Sequence, residues 1–188
     1  MINKISRILQ SALLDLFQMQ PDVLETTSQT TMTEWNLAHH YANSLSKYLF
    51  WYDNDNDVVK RNYDSRRPDI IFHMRQTIEN NFLVVEMKKS IRIDFDDIKK
   101  IKDHWFIDTL RYRFGACVSV NSANEYKIKV FENNAADAIL VTDKNTRMFA
   151  YRELEDENSI RTRFREIMAQ RKTVDLRDIN TILDKYQI

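Results

Sequence analysis

The chain of 188 residues contains a single glycine, Gly115. Dinucleotide-binding G-x-G-x-x-G loops and G-x-x-x-x-G-K-[ST] phosphate loops need several glycines, because the backbone must approach the phosphates closely. The G-x-S-x-G turn that presents a nucleophilic serine also needs more than one glycine. The composition therefore excludes these sites. Turns must instead be made by Asn, Asp and Ser, and four such turns are predicted at 53–57, 79–81, 121–124 and 132–134.

Cysteine and long apolar runs are equally scarce. Cys117 is the only cysteine, so an intramolecular disulfide is excluded, and no Cys/His cluster has the spacing of a zinc site. No apolar run approaches the roughly 20 residues needed to span a bilayer. The N-terminal segment carries Asp15 within its apolar pattern, which favours an amphipathic helix over a signal peptide. We therefore expect a cytoplasmic protein.

The chain also lacks net charge, with 28 Lys and Arg against 28 Asp and Glu. A strongly basic balance, which would have indicated nucleic-acid binding, is absent. The charge is nevertheless uneven along the chain. Residues 1–57 carry 3 basic and 7 acidic side chains, a net of −4, whereas residues 58–113 carry 13 basic and 9 acidic side chains, a net of +4. The middle third is therefore the part best suited to an anionic partner.

Hydrophobic periodicity predicts one domain over residues 1–188, with an α/β fold. Helices are predicted over 3–18, 33–51, 94–112, 176–187 and, within 152–170, from about Ser159, with a polar loop over 19–32. Strands are predicted over 58–63, 68–74, 82–88, 116–120, 126–131 and 138–141. The short turn at 79–81 makes 68–74 and 82–88 an antiparallel hairpin. This order predicts a central mixed β-sheet flanked by helices.

Three charged residues stand at the margins of the two apolar runs of this hairpin. On a strand, Glu86 and Lys88 point to the same face, about 7 Å apart, while Met87 points to the other face. A turn at 79–81 would pair Asp69 near Lys88 or slightly beyond. We therefore predict that Asp69, Glu86 and Lys88 converge at one end of the hairpin, with the Met87 carbonyl between the last two.

Two carboxylates and a carbonyl form an oxygen-rich site that suits Mg²⁺, with water in the remaining positions. Mg²⁺ there would polarise a phosphodiester and help deprotonate a water. The Lys88 ammonium would stabilise the charge that develops on the phosphate. The alternative interpretation is a cross-strand salt bridge at the edge of a sheet, which contributes little to stability.

The sequence resembles the PD-(D/E)XK nuclease superfamily over residues 34–120. Pro68-Asp69, the following apolar residues and Glu86-Met87-Lys88 at the end of an apolar strand match its motif. The resemblance implies a restriction-endonuclease-like core over about 31–142, with helical additions at 3–18 and 152–187. It implies a Mg²⁺-dependent endonuclease, with Mn²⁺ as a substitute, in which Lys88 is catalytic. The implied metal ligands are Asp69, Glu86, the Met87 carbonyl and, from a preceding helix, Glu34.

Glu34 has a second interpretation, because Thr31-x-x-Glu34 fits a capping box with Glu34 at the third helical position. The helix that follows the motif also has two interpretations. Its Lys99 and Lys100 would contact phosphates, or they would form a solvated face balanced by Asp96, Asp97 and Asp103. The predicted nucleic-acid contacts are Arg66, Arg67, Lys89, Lys99 and Lys100.

The predicted substrate is nucleic acid, with DNA favoured over RNA, and a homodimer or a partner subunit would supply any target specificity. The alternative function is a nuclease-fold binding or interaction module with little or no catalytic activity. The neutral overall charge favours that alternative, since it limits non-specific affinity for nucleic acid.

Overall fold

The computed structural model describes residues 1–24, 33–56, 67–75, 80–107, 110–135 and 138–142. The predicted strand 58–63, the predicted helices 152–170 and 176–187, and Arg66 lie outside these residues, as does most of the predicted loop 19–32.

The described part contains three α-helices, one π-helical turn and six strands. The helices are α1 (Ile2–Met19), α2 (Thr33–Tyr48) and α3 (Phe95–Lys100), and the π-helical turn Ile101–Trp105 continues α3 directly. The strands are β1 (Asp53–Asn56), β2 (Ile70–His73), β3 (Asn81–Lys88), β4 (Phe114–Ser122), β5 (Glu125–Glu132) and β6 (Ala138–Val141). None of the described helices is both long enough and apolar enough to cross a membrane.

The six strands form one sheet in chain order, β1 to β6. The β3–β4 pair is parallel, whereas the other neighbouring pairs are antiparallel. A parallel pair needs a crossover connection, and α3 with the π-helical turn supplies it. The predicted α/β fold with a mixed sheet and flanking helices is confirmed, and so is the antiparallel hairpin of β2 and β3.

Side chains from both faces of the sheet are buried, because helices cover each face. On one face, α1 and α2 pack on the larger core, in which the apolar stripe of α2 includes Leu37, Tyr41 and Leu45. On the other face, the α3 segment covers a smaller core that contains Val84, Ile101, Trp105 and Cys117. Strands buried on both faces are expected to be almost continuously apolar. A charged side chain within β3 is therefore a departure that calls for a physical explanation.

The prediction of a turn at 53–57 is wrong, since residues 53–56 form β1. Aspartate and asparagine are poor strand formers, so this strand depends on its neighbours. Its partner is β2, with Asp53 opposite His73. The Asp55 carboxylate lies 2.7 Å from Nε2 of His73 and also binds the Arg75 guanidinium. These cross-strand contacts outweigh the local preference for a turn.

The predicted helix 94–112 begins as expected but ends early. Asp94 caps α3, and its side chain accepts a hydrogen bond from the Asp96 backbone N–H at 2.9 Å. The regular helix ends at Lys100, and the π-helical turn ends at Trp105. The Tyr112 N–H then donates to the Trp105 carbonyl, and Arg111 has a φ of 43°. The chain must turn here because Trp105 is fully buried against the sheet and β4 begins at Phe114.

The only glycine lies where the π-helical turn meets the sheet. A Cβ atom on Gly115 would collide with Cγ2 of Ile101 and would lie 3.0 Å from Cζ of Phe106. We expect Gly115→Ala to lower the free energy of unfolding by about 1–3 kcal/mol, the usual cost of overpacking. Urea denaturation measures this loss, and Ala116→Gly serves as a neighbouring backbone control. Wild-type stability in Gly115→Ala would show that the two layers are not in close contact.

Candidate active site

The sheet divides at the end of β3, and the candidate site lies at this division. The β2–β3 ladder ends at Ile70 opposite Val85, whereas the β3–β4 ladder continues to Lys88 opposite Ser119. Beyond the end of β2, the Met87 N–H donates to Oδ2 of Asp69 at 2.6 Å. The Asp69 carboxylate thus replaces a strand carbonyl as the acceptor for β3. The structure therefore brings Asp69 next to Glu86.

The predicted register of the hairpin is wrong by about two residues. Asp69 was expected opposite Lys88, but the pairing of Ile70 with Val85 places it level with Glu86. The pairing shifts between Phe72 and His73, where the strand is irregular. This irregularity cannot be read from the turn residues at 79–81. Continued from the pairing of His73 with Asn81, a regular ladder would place Asp69 opposite Val85. The one-residue shift places it opposite Glu86, and so on the same face of the sheet.

Glu86 is a buried acid on the face of β3 that α3 covers. Its side chain is 2% exposed. The Trp105 indole Nε1–H donates to Oε1 at 2.7 Å, and Nζ of Lys100 lies 3.7 Å from Oε2. Met87, the next residue, is buried in the opposite core, as the alternation of a strand requires. Both Glu86 oxygens therefore face groups of the α3 segment.

Burial raises the pKa values of both carboxyl groups. The pKa of Glu86 rises to about 8, chiefly through burial and secondly through the nearby Asp69 charge, although Lys100 and Trp105 oppose the rise. The pKa of Asp69 rises to about 6 through burial, opposed by the Met87 N–H and by Lys100, with added repulsion from Asp97 and Glu34. Two carboxyl groups that resist ionisation together indicate a site with an excess of negative charge.

Asp97 is a third buried carboxylate in the same place. Its side chain is 3% exposed, and its Oδ1 accepts a hydrogen bond from Nζ of Lys100 at 2.7 Å. The interpretation of Asp97 as part of a solvated helix face is wrong, whereas Lys99 is exposed and Lys100 is partly exposed. A sequence signal for Asp97 existed, because it precedes the buried Ile101 and Trp105 at intervals of four residues and so shares their helical face.

Lys88 lies at the same end of β3 but outside this cluster. Its ammonium lies 3.8 Å from Oδ2 of Asp94, and its side chain is 35% exposed. In the described part of the chain, no ion pair joins Lys88 to Asp69 or Glu86. The motif lysine therefore pairs with the N-cap residue of α3 and not with the two motif acids.

Glu34 reaches the end of β3 from α2. Its Oε1 accepts a hydrogen bond from the Lys89 N–H at 3.3 Å, and its charge contributes to the raised pKa of Asp69. Thr31, the cap residue of the alternative interpretation of Glu34, lies outside the described residues. The Glu34 side chain thus bonds to β3, in the direction predicted for an auxiliary ligand.

The predicted nucleic-acid contacts divide into two groups. Arg67, Lys99 and Lys100 line a cleft of about 570 Å³ together with Asp96, Asp103 and His104. Lys89 lies elsewhere, since its Nζ donates to the Leu24 carbonyl at 3.3 Å. The cleft reaches the candidate site, because Lys100 lines it and also approaches Glu86. We refer below to this space as the Lys100 cleft.

The charge and chemistry of these groups fit a divalent cation. Three buried or partly buried carboxylates (Asp69, Glu86 and Asp97) share one ammonium, Lys100, and carboxylate oxygen is the ligand that Mg²⁺ prefers. Among the described residues, no three His, Cys, Asp or Glu side chains are already arranged as a metal site. The donor set that fits is therefore Asp69 and Glu86, completed by backbone carbonyl oxygen and water. Mg²⁺ usually keeps several waters.

No protein-family model, curated protein or solved structure matches this chain.

Proposed function

We propose that the chain is a divalent-metal-dependent nuclease with a restriction-endonuclease-like core, and that it hydrolyses phosphodiester bonds in nucleic acid, DNA in preference to RNA. The hydrogen bond from the Met87 N–H to Asp69 carries the proposal. It holds Asp69 beside Glu86, where burial disfavours both negative charges and the Asp69 charge further disfavours that of Glu86. A structural role alone does not require two acids at this position, since a paired apolar strand would be more stable.

Asp69 and Glu86 would hold Mg²⁺, with the Met87 carbonyl and Glu34 as further ligands. When bound, the ion would polarise the phosphodiester and lower the pKa of a bound water. Trp105 orients Glu86 through its hydrogen bond to Oε1, and the Met87 N–H orients Asp69. A lysine ammonium would stabilise the charge on the phosphate, and the resemblance assigns this role to Lys88. The basic side chains of the Lys100 cleft, among them Arg67, would attract the nucleic-acid backbone.

The first test is cleavage of supercoiled plasmid DNA and of a single-stranded oligonucleotide with Mg²⁺ or Mn²⁺. Asp69→Asn keeps an oxygen that accepts from the Met87 N–H but removes the charge. We expect it to lower the cleavage rate by about 100-fold or more, since even outer partners of metal ligands contribute about 10- to 100-fold.

Glu132→Gln is the matched control for this test. Glu132 pairs with Arg113 at 3.9 Å and lies level with Phe114, at the end of the sheet away from the site. It should cleave at the wild-type rate. A rate for Asp69→Asn equal to that of the control, or no cleavage by the wild-type protein, would contradict the proposed function.

A second candidate function is a binding module with little or no activity. One observation favours it. Oε1 of Glu86 accepts a hydrogen bond from Trp105 and Oε2 lies near the Lys100 ammonium, so both oxygens already have partners without a metal ion. Calorimetric titration with Mn²⁺ separates the two functions. Absence of binding at millimolar Mn²⁺, together with affinity for DNA, would support the binding module.

A further inference from the structure

Two lysines stand near the candidate site, and their surroundings differ. Lys100 lies 2.7 Å from Asp97 and 3.7 Å from Glu86, and both of those carboxylates are almost fully buried. Lys88 lies 3.8 Å from Asp94, which is 39% exposed. An ion pair between exposed groups is weak and poorly fixed, whereas a charged hydrogen bond to a buried acid is short and directional. The ammonium with a fixed position at the acids is therefore that of Lys100.

Lys100 is also accessible from solvent. Its side chain is 40% exposed and lines the Lys100 cleft, and its ammonium lies near the two buried acids. Arg67 and Lys99 line the same cleft, and with Lys100 they give three cations against the two carboxylates of Asp96 and Asp103. An anionic group that enters this cleft would reach Lys100 before it reached Glu86.

We propose that Lys100, in place of Lys88, is the catalytic lysine that contacts the scissile phosphate, and that Asp97 is its positioning residue. The inference rests on the proposed phosphodiester hydrolysis. Asp97 and Lys100 are three residues apart on α3, so the helix itself fixes their pairing. If Glu86 is engaged by a cation, Asp97 still holds the ammonium at the inner end of the cleft, where it is available to a non-bridging phosphate oxygen.

The same geometry makes Lys100 a competitor of any metal ion for Glu86. Removal of its charge should tighten Mn²⁺ binding by at least about 10-fold, because a unit charge a few ångströms from a divalent ion repels it measurably even under the screening of bulk water. Lys100→Met should therefore bind Mn²⁺ more tightly than wild type, as measured by calorimetry. Lys88→Met and Lys102→Met should bind Mn²⁺ with the wild-type affinity, because Lys88 pairs with Asp94 and Lys102 lies over the Phe131 ring.

Single-turnover cleavage of plasmid DNA with Mn²⁺ gives the second measurement. We expect Lys100→Met to lower the rate constant by about 100- to 1,000-fold, the usual effect of losing a group that stabilises transition-state charge. Lys88→Met should lose less than about 10-fold, and Lys102→Met should match the wild type. Asp97→Asn should lower the maximal rate constant without changing the DNA concentration at which the rate is half-maximal. Asp97→Glu should have a higher rate constant than Asp97→Asn.

Lys100→Met leaves two buried acids without their cation, so a variant that keeps the charge is also needed. Lys100→Arg should keep the wild-type Mn²⁺ affinity within about twofold and lower the rate constant about 10-fold, because a planar guanidinium does not replace a compact ammonium. Wild-type rates in both Lys100→Arg and Asp97→Asn would overturn the inference. Loss of cleavage in Lys88→Met, with full activity in Lys100→Met, would overturn it and leave the proposed nuclease intact. No cleavage by the wild-type protein would instead refute the proposed function.

Discussion

Glu86→Gln is expected to abolish cleavage and, at pH 8 and above, to stabilise the protein. Glutamine keeps an oxygen that accepts from Trp105 and removes the charge that burial disfavours. One pKa unit corresponds to about 1.4 kcal/mol, so we expect a gain of roughly 1–3 kcal/mol in the free energy of unfolding at pH 9. Urea denaturation at pH 5 and pH 9 measures the gain, which should be absent at pH 5.

The matched variant is again Glu132→Gln. Its carboxylate is partly exposed and pairs with Arg113, and the loss of such a pair changes stability by about 1 kcal/mol or less. If Glu86→Gln were instead less stable than wild type at pH 9, the Glu86 charge would be stabilising, and the excess of negative charge at the site would be refuted. The combination of lost activity with gained stability is typical of sites that retain charge for function.

The wild-type protein should lose stability as the pH rises from about 5 to about 8. The folded-state pKa values of Glu86 and Asp69 rise to about 8 and about 6, from ordinary values of 4.5 and 3.8. Between the ordinary and the folded values, the folded protein binds more protons than the unfolded chain does. The free energy of unfolding therefore falls with increasing pH. We expect a total fall of about 3 kcal/mol, given about 1.4 kcal/mol per pKa unit and partial relaxation of the site.

Mg²⁺ supplies the control for this pH dependence. A bound divalent ion neutralises the carboxylates, and binding to the folded state alone adds stability. Thermal unfolding at pH 8 should therefore shift upward with millimolar Mg²⁺ in the wild type and should not shift in Asp69→Asn. A stability that is constant between pH 5 and pH 8 without metal would contradict the raised pKa values and the electrostatic part of the proposed site.

The sequence was most informative where the hydrophobic pattern was long. The stripe of α2 and the alternation in β3 predicted which faces are buried, so the separation of Glu86 from Met87 on opposite faces followed directly. The predicted hairpin also brought Asp69 and Glu86 to the same end of the two strands, although its predicted register was wrong. The register depends on the length of the connection, since His73 already pairs with Asn81, and on a one-residue irregularity between Phe72 and His73. Neither follows from local turn residues.

Other features depend on tertiary contacts that a local pattern does not contain. The early end of the helix at Trp105 results from the burial of that indole against the sheet and from its hydrogen bond to Glu86. This packing places Asp97, which shares a helical face with Trp105, and Lys100 near Glu86. In β1, four polar residues of low strand propensity are held by His73 and Arg75 of the neighbouring strand and its end. The predicted helix to residue 112 and the predicted turn at 53–57 were both wrong because long-range contacts outweighed the local preference.

Strand β1 also bears on how copies of this chain associate. Among the described strands it is one edge of the sheet, and every one of its residues is Asp or Asn. A second copy aligned along that edge would bring carboxylates towards carboxylates and would have to dehydrate them, and charged edge strands resist such addition. The composition of β1 thus disfavours edge-to-edge association of the sheets of two copies, including association into fibres. We therefore expect the proposed homodimer to assemble through a surface other than this edge.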